Sequence, residues 1–296
     1  MATVIRSPEA LKDLQSNAFV GTLPQMVGSS ITFADNAKNN IIFCDKQVTL
    51  YNSSIQICGS NSVIFFSSSR HRYWVTASIY SNSVLYFGRD NSFTSLMHII
   101  MSEQKHVFIG DDGLFSIDIW IRNADPHLIY SCDTSQRINP SQSVFVGDHV
   151  WLGQEARLLK GTRIDSGSII GGMSVVAGKQ IGHNASWAGN PAKCIKDGIF
   201  WDRTCVHGWL DEDTRRSMDW DTFRAGKMDR DAFIFSHDPK EYVSYDQMDQ
   251  AFSTGTPEQK LAYLKALPTG KNRFVRPDGN PTPPPAPKSR LPWGRK

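Results

Sequence analysis

The strongest regularity in the chain is a spacing of six. Val146, Leu152, Leu158, Ile164, Ile170 and Val176 follow one another at that interval, and all six are branched aliphatics. Four places after each of the first five stand Val150, Ala156, Thr162, Ser168 and Ser174, all small or β-branched. Gly or Asp follows several of the aliphatics, as in Leu152-Gly153 and Ile164-Asp165. This spacing is neither the turn of an amphipathic helix nor the alternation of a lone strand; it is the hexapeptide repeat of a parallel β-helix. Three hexapeptides form one triangular coil. The aliphatic points inward from each face, and the small residue sits where the turn brings backbones close. Stacked coils then bury one continuous apolar column. The expected fold is all-β, a left-handed parallel β-helix, with a crossover hand opposite to the usual one.

The same register continues upstream in Ile109, Phe115 and Ile121, and it breaks between Ile121 and Val146. A loop around residues 127–142 therefore interrupts the coils, and functional groups often sit on loops held by a rigid scaffold. Residues 40–100 alternate apolar and polar positions with Asn, Gly and Ser turns, as in LYNSSIQICGSNSVIFFSSS. They read as degenerate coils of the same solenoid. The resulting division is a cap or loop over residues 1–39 and a β-helix over residues 40–199. A small, mostly helical appendage follows over residues 200–266, including the helical pattern PEQKLAYLKAL. A Pro-rich basic tail, expected to be disordered, occupies residues 267–296.

Composition narrows the function. A net charge of +3 is too weak to argue for nucleic acid, whereas an acidic cofactor needs only a local basic patch. The five cysteines are odd in number and lack metal-type spacing, which excludes a disulfide framework and favours a reducing compartment. The N-terminus lacks an apolar stretch of signal-peptide length, and no apolar run approaches a membrane span. A cytoplasmic protein is expected.

The stretches ADPHLIY, RINPSQSVFVGDHVWLGQEARLLKG, GSIIGGMSVVAGK and WAGNPAK carry a more specific signal. Together they resemble the hexapeptide-repeat O-acetyltransferases of bacterial capsule and lipopolysaccharide biosynthesis, in particular the sialic-acid capsule type. The resemblance covers about a third of the chain closely and leaves the appendage unexplained. It implies acetyl-CoA as co-substrate, a carbohydrate acceptor, direct transfer without an acyl-enzyme, and a homotrimer with intersubunit sites. No metal and no nucleic acid are implied.

His127 is the candidate catalytic base. Acyl transfer to a sugar hydroxyl needs a group that titrates near neutrality within hydrogen-bond reach of that hydroxyl, and the break in the coil register gives this histidine access to a cleft. The family places an Asp four residues after the base, where this chain has Ser131; Asp125 and Asp133 are nearby alternatives for orienting the ring. Trp151 precedes the inward Leu152 and therefore points outward, and the resemblance implies a wall against the acetyl-pantetheine end of the donor. His149 has the same outward parity; with Asp125 it completes the substrate-side set, although a structural hydrogen-bonding role also fits it. For the donor, the resemblance marks Gly171, Gly172, Ala177, Lys179, Asn190, Pro191 and Lys193. Glycines let the backbone approach the pantetheine arm, and lysines suit phosphates as point charges.

Other chemistries fit less well. A β-helix carbonic anhydrase needs a close pair of zinc histidines, and His127, His149 and His183 are far apart. No G-x-S-x-G, Walker or Rossmann fingerprint is present. Two alternatives stay open: N-acylation of an amino sugar or nucleotide sugar, and a non-catalytic solenoid scaffold.

Overall fold

A computed structural model describes residues 2–277. The chain winds as a parallel β-solenoid of about seven turns. Each turn lays one strand on each of three faces. Face 1 holds eight parallel strands, from Ala18–Gly21 and Ile41–Cys44 up to Arg163–Ile164 and Gln180–Ile181. Face 2 runs from Ser92–Phe93 through Leu114–Phe115, Trp151–Leu152 and Ile169–Ile170 to Ser186–Ala188, and Lys193–Lys196 closes it antiparallel. Face 3 rises from Ser30–Phe33 through Met97–Met101, Trp120–Arg122 and Arg157–Leu158 to Val175–Val176, with Thr3–Ile5 added antiparallel at the lower edge.

The hexad places its residues as its physics requires. Val146, Leu152, Leu158, Ile164, Ile170 and Val176 are all fully buried in one column. Ile109, Phe115 and Ile121 pair directly below Val146, Leu152 and Leu158. The small positions are buried at the corners, where their hydroxyls bind the next turn. Thr162 Oγ1 donates to the Val176 carbonyl at 3.0 Å, and Ser168 Oγ donates to that of Gly182 at 2.6 Å.

The lower turns are wider. Leu158 stacks under Val176, eighteen residues on, but Ile55, Ala77, Ile99 and Ile121 follow at steps of twenty-two. The extra residues form corners built on left-handed Asn and Asp residues, among them Asn52, Asn61, Asn82 and Asp90, the non-glycine types that tolerate that conformation. The solenoid also starts earlier than residue 40. Strands Ala18–Gly21, Gln25–Val27 and Ser30–Phe33 already form its first turn, so the expected cap shrinks to the segment before Ala18.

Face 1 differs from the other two in being apolar on both sides. Phe43, Phe65, Tyr86, Phe108 and Phe145 point outward and are nonetheless buried. Helices α1 (Asp211–Arg216), α2 (Trp220–Arg224), α3 (Tyr245–Thr254) and α4 (Pro257–Lys265) belong to the appendage, and Tyr245, Met248, Phe252, Leu261 and Leu264 of the last two cover this aromatic ladder. The continuous apolar runs IIFC, VIFF and VLYF are the sequence trace of a strand buried on both faces. The appendage is less helical than expected. Before α1 and between α2 and α3 it is largely irregular, and Trp201 and Phe235 of those stretches are buried.

Residues 267–277 also depart from expectation. Arg273, Phe274 and Val275 are buried. Arg273 pairs with Asp148 at 2.7 Å and Asp111 at 3.0 Å, and Arg276 pairs with Asp165 at 2.9 Å. Those ion pairs tie the segment to the body; the rest of the expected tail lies outside the described residues. No helix among the described residues is long and apolar enough to cross a membrane.

Candidate functional site

The break in the hexad is an arm. After Trp120–Arg122 leaves face 3, residues 123–143 fold out at the corner before Val144–Val146 begins the next turn on face 1. Tyr130 and Arg137 form an antiparallel bridge within it, and Ser131 Oγ accepts from the amides of Asp133 and Thr134 at the tip. Ser131 is thus a turn residue. His127 is exposed at the root of the arm, with exposed Leu128, Ile129 and Tyr130 after it.

Buried Asn139 holds that root. Its Nδ2 donates to the His127 carbonyl at 2.8 Å and to Asp125 Oδ2 at 3.3 Å, and its Oδ1 accepts from the Ile129 amide at 2.9 Å. Arg137 makes a two-pronged pair with Glu103 at 2.6 and 2.9 Å. Hydrogen bonds from Arg137 and then Ser141 hold the Glu103 carboxyl down at about 2. Asp125 is committed to Lys160 Nζ at 2.5 Å, which keeps its carboxyl below the usual range. It anchors the arm to the corner, and its side chain stays exposed there. Sequence reasoning missed Asn139, Glu103 and Lys160. Asn139-Pro140 in the loop was a visible turn signal; Glu103 and Lys160 come from other turns, and only the winding brings them together.

Trp151 points outward from face 2, half-buried, with its indole Nε1 3.4 Å from Ser116 Oγ and its ring 5.9 Å from that of Trp201. His149 is different: it is buried beneath the appendage. Its Nδ1 lies 2.7 Å from Asp112 Oδ2, its Nε2 lies 3.0 Å from the Trp201 carbonyl, and the two rings stack at 3.9 Å. It clamps the appendage to the solenoid, in the manner of the structural hydrogen-bonding role that also fits its sequence position. Outward parity was right, but another segment covers that corner.

The donor-side residues divide between two corners. Gly171 and Gly172 lie between faces 2 and 3, Asn190 and Pro191 lie in the turn that joins Ser186–Ala188 to the closing strand and flanks Val175 of face 3, and Lys193 begins that strand. Ala177 and Lys179 lie between faces 3 and 1, two turns above the arm, where the Gly178 amide donates to the carbonyl of Lys160 on the intervening turn at 3.0 Å. Ala177, Lys179, Asn190, Pro191 and Lys193 are all exposed. Gly171 has a packing reason of its own, since a Cβ there would come within 2.8 Å of Ala188 Cβ. At exposed Gly172 a Cβ would stand 3.3 Å from the Gln154 carbonyl, a tight contact. In one chain, then, His127 and Trp151 stand on different faces. Arg122, on the outer side of face 3, has a buried Nε without a hydrogen-bond partner among the described residues.

No model of a protein family matches the chain. Over 175 residues it is 31% identical to the polysialic acid O-acetyltransferase of Neisseria meningitidis, an alignment covering 59% of this chain and 81% of that protein. It is 36% identical over 118 residues to the polysialic acid O-acetyltransferase of Escherichia coli O1:K1, covering 40% of this chain and 38% of that longer relative. The crystal structure of the polySia-specific acetyltransferase NeuO superposes with a TM-score of 0.57 at 26% identity, over 68% of this chain and 91% of the other.

Proposed function

The chain belongs to the polysialic acid O-acetyltransferases, hexapeptide-repeat acetyltransferases of capsule and lipopolysaccharide biosynthesis, and we propose that His127 is the base with which it moves an acetyl group from acetyl-CoA to a hydroxyl of an acidic capsular sugar. The solenoid is the left-handed β-helix of that family, and the chain is an O-acetyltransferase. The observation that carries the assignment of the base is the exposed histidine on an arm pinned through its own carbonyl by Asn139. A reacting group held by its backbone keeps its ring free while its position is fixed, which is what transfer between two bound substrates needs.

In this reading the imidazole takes the hydroxyl proton as the oxygen attacks the thioester carbonyl. The C–O bond forms and the C–S bond breaks, and the departing thiolate receives the proton back from His127. Main-chain N–H groups at the corner stabilise the oxyanion. Lys193 and Lys179 serve the phosphates of the donor, with Gly172, Ala177, Asn190 and Pro191 along the pantetheine arm. Trp151 lies on a different face from His127, so its wall would come from a second copy, in keeping with a homotrimer. A cytoplasmic site of action fits the need for acetyl-CoA.

The test is thiol release from acetyl-CoA in the presence of polysialic acid, neutral capsule sugars and amino-sugar nucleotides, with mass spectrometry of the products. O-acetylated sialic acid is expected; an N-acetylated amino sugar, or no product with any acceptor, would overturn the reading.

A further inference from the structure

We propose that face 3 carries a track for an acidic sugar polymer, with a second subsite formed by Tyr51, Arg72 and Trp74 on the lower turns, away from the point of transfer. The inference rests on the acetyltransferase reading and adds where the rest of the acceptor lies.

The first observation is the state of Arg72. Three arginines higher on the solenoid are matched by a carboxylate: Arg157 by Asp118, Arg137 by Glu103 and Arg163 by Asp246. Exposed Arg72 has no such partner among the described residues. Its guanidinium lies over the Tyr51 ring, 3.7 Å from the centroid, and 5.4 Å from that of Trp74. Tyr51 and Trp74 meet edge to face at 5.3 Å. Stacking on an aromatic face holds the guanidinium plane and leaves its N–H edge open. That edge is a fork for a carboxylate, with much of the ordering cost already met. Half-buried Trp74 adds an apolar surface for a sugar ring beside it.

The second observation is alignment. Thr76, His98 and Trp120 are successive partners on face 3, and Trp74 leads into the strand that contains Thr76. Arg72 and Trp74 therefore lie about two strand spacings below Trp120, or about 10 Å along the axis, and Tyr51 lies one turn lower. Between the two levels, His98 and Trp120 stack at 4.2 Å as a flat surface. Arg122, in the same strand as Trp120, places a second guanidinium at the root of the arm bearing His127, near Asp125. A single sugar cannot reach from Arg72 to Arg122, because the two stand on different turns and at opposite edges of face 3. A chain carrying carboxylates at intervals can.

The experiment compares the full-length protein with Arg72→Met, which keeps an apolar stem over Tyr51, and Arg72→Lys, which keeps charge without the fork. Binding of polysialic acid is measured by calorimetry without acetyl-CoA, with dextran as the neutral control. Transfer rates are then measured on sialic acid oligomers of increasing length, and sedimentation checks assembly. Arg72→Met is expected to weaken polymer binding and raise KM for the long polymer about tenfold, with kcat, KM for a short oligomer and KM for acetyl-CoA unchanged. Arg72→Lys should lie between. Unchanged polymer binding, an equal loss for short and long acceptors, or an altered assembly state would overturn the subsite. Failure of the wild type to acetylate any sialic acid oligomer would instead overturn the proposed function, and calorimetry would still decide the subsite.

Discussion

The side chain of Asn139 and the main chain of His127 are joined by one hydrogen bond of 2.8 Å, and the same amide also accepts from the Ile129 amide and the Arg137 Nε. Truncation to Asn139→Ala leaves those groups unpaired at the root of the arm. We expect turnover to fall roughly 10- to 100-fold, the scale on which a small misplacement of a reacting group costs rate. KM for acetyl-CoA should hold, and amide exchange across residues 124–139 should quicken. Turnover close to the parent's would show that the arm is positioned by other contacts.

Replacement of His127 itself should act on chemistry alone. His127→Ala should lose about 10²- to 10⁴-fold in turnover, the usual range for a positioned general base, with donor affinity nearly unchanged. The rising limb of the parent's pH–rate profile should vanish with it. Persistence of that limb in the variant would move the base elsewhere.

On the donor side, Lys193→Glu should raise KM for acetyl-CoA and leave turnover with saturating donor nearly intact. A phosphate contact remote from the thioester contributes equally to the ground and transition states. An unchanged KM would mark exposed Lys193 as a solvated charge.

For His149 the expectation is structural. His149→Ala leaves Asp112 and the Trp201 carbonyl without their partner. A loss of about 1–3 kcal/mol is expected from denaturant unfolding, the range for a buried polar group left unsatisfied, with near-normal turnover in the folded fraction. If unfolding were unaffected and turnover abolished, the ring would be acting on substrate after all.

Buried His106 predicts the direction of pH dependence. Its Nδ1 accepts from the Val84 amide at 3.1 Å, which fixes the neutral ring with Nε2–H toward Ser253. Burial, then the nearby Lys260 and Lys105, push its pKa down to about 3. The unfolded chain takes up that proton near the ordinary histidine value while the folded chain does not. Stability from this group is therefore full above about 6.5 and is lost as pH falls from there toward 3, by up to about 1.4 kcal/mol per unit. His106→Gln should flatten that part of the profile in unfolding titrations; an identical slope in both proteins would refute the assignment.

The upper coils were legible in the chain because each hexad there stands alone. One inward aliphatic and one small corner residue per face satisfy the local backbone, so Leu158 under Val176 follows from spacing. The exposed place of His127 was legible for the same reason, since a break in a rigid period has to loop out. The lower coils were only partly legible. Their corners vary in length, so steps of twenty-two blur the period even though the inward column is unbroken.

What sequence alone could determine was local: the solenoid, its core column, its handed family and the candidate base. What only tertiary structure decided was which residues distant in sequence came together. Asn139, Glu103 and Lys160 secure the arm from three segments. Trp201 covers His149 from fifty-two residues away, turning an outward histidine into a buried clamp. Arg273 and Arg276 tie residues that read as tail onto Asp148 and Asp165. The physical reason is that a hexad specifies which way a side chain points, inward or outward. It carries nothing about what will later cover the outward side, because that depends on packing between segments whose separation in sequence has no fixed period.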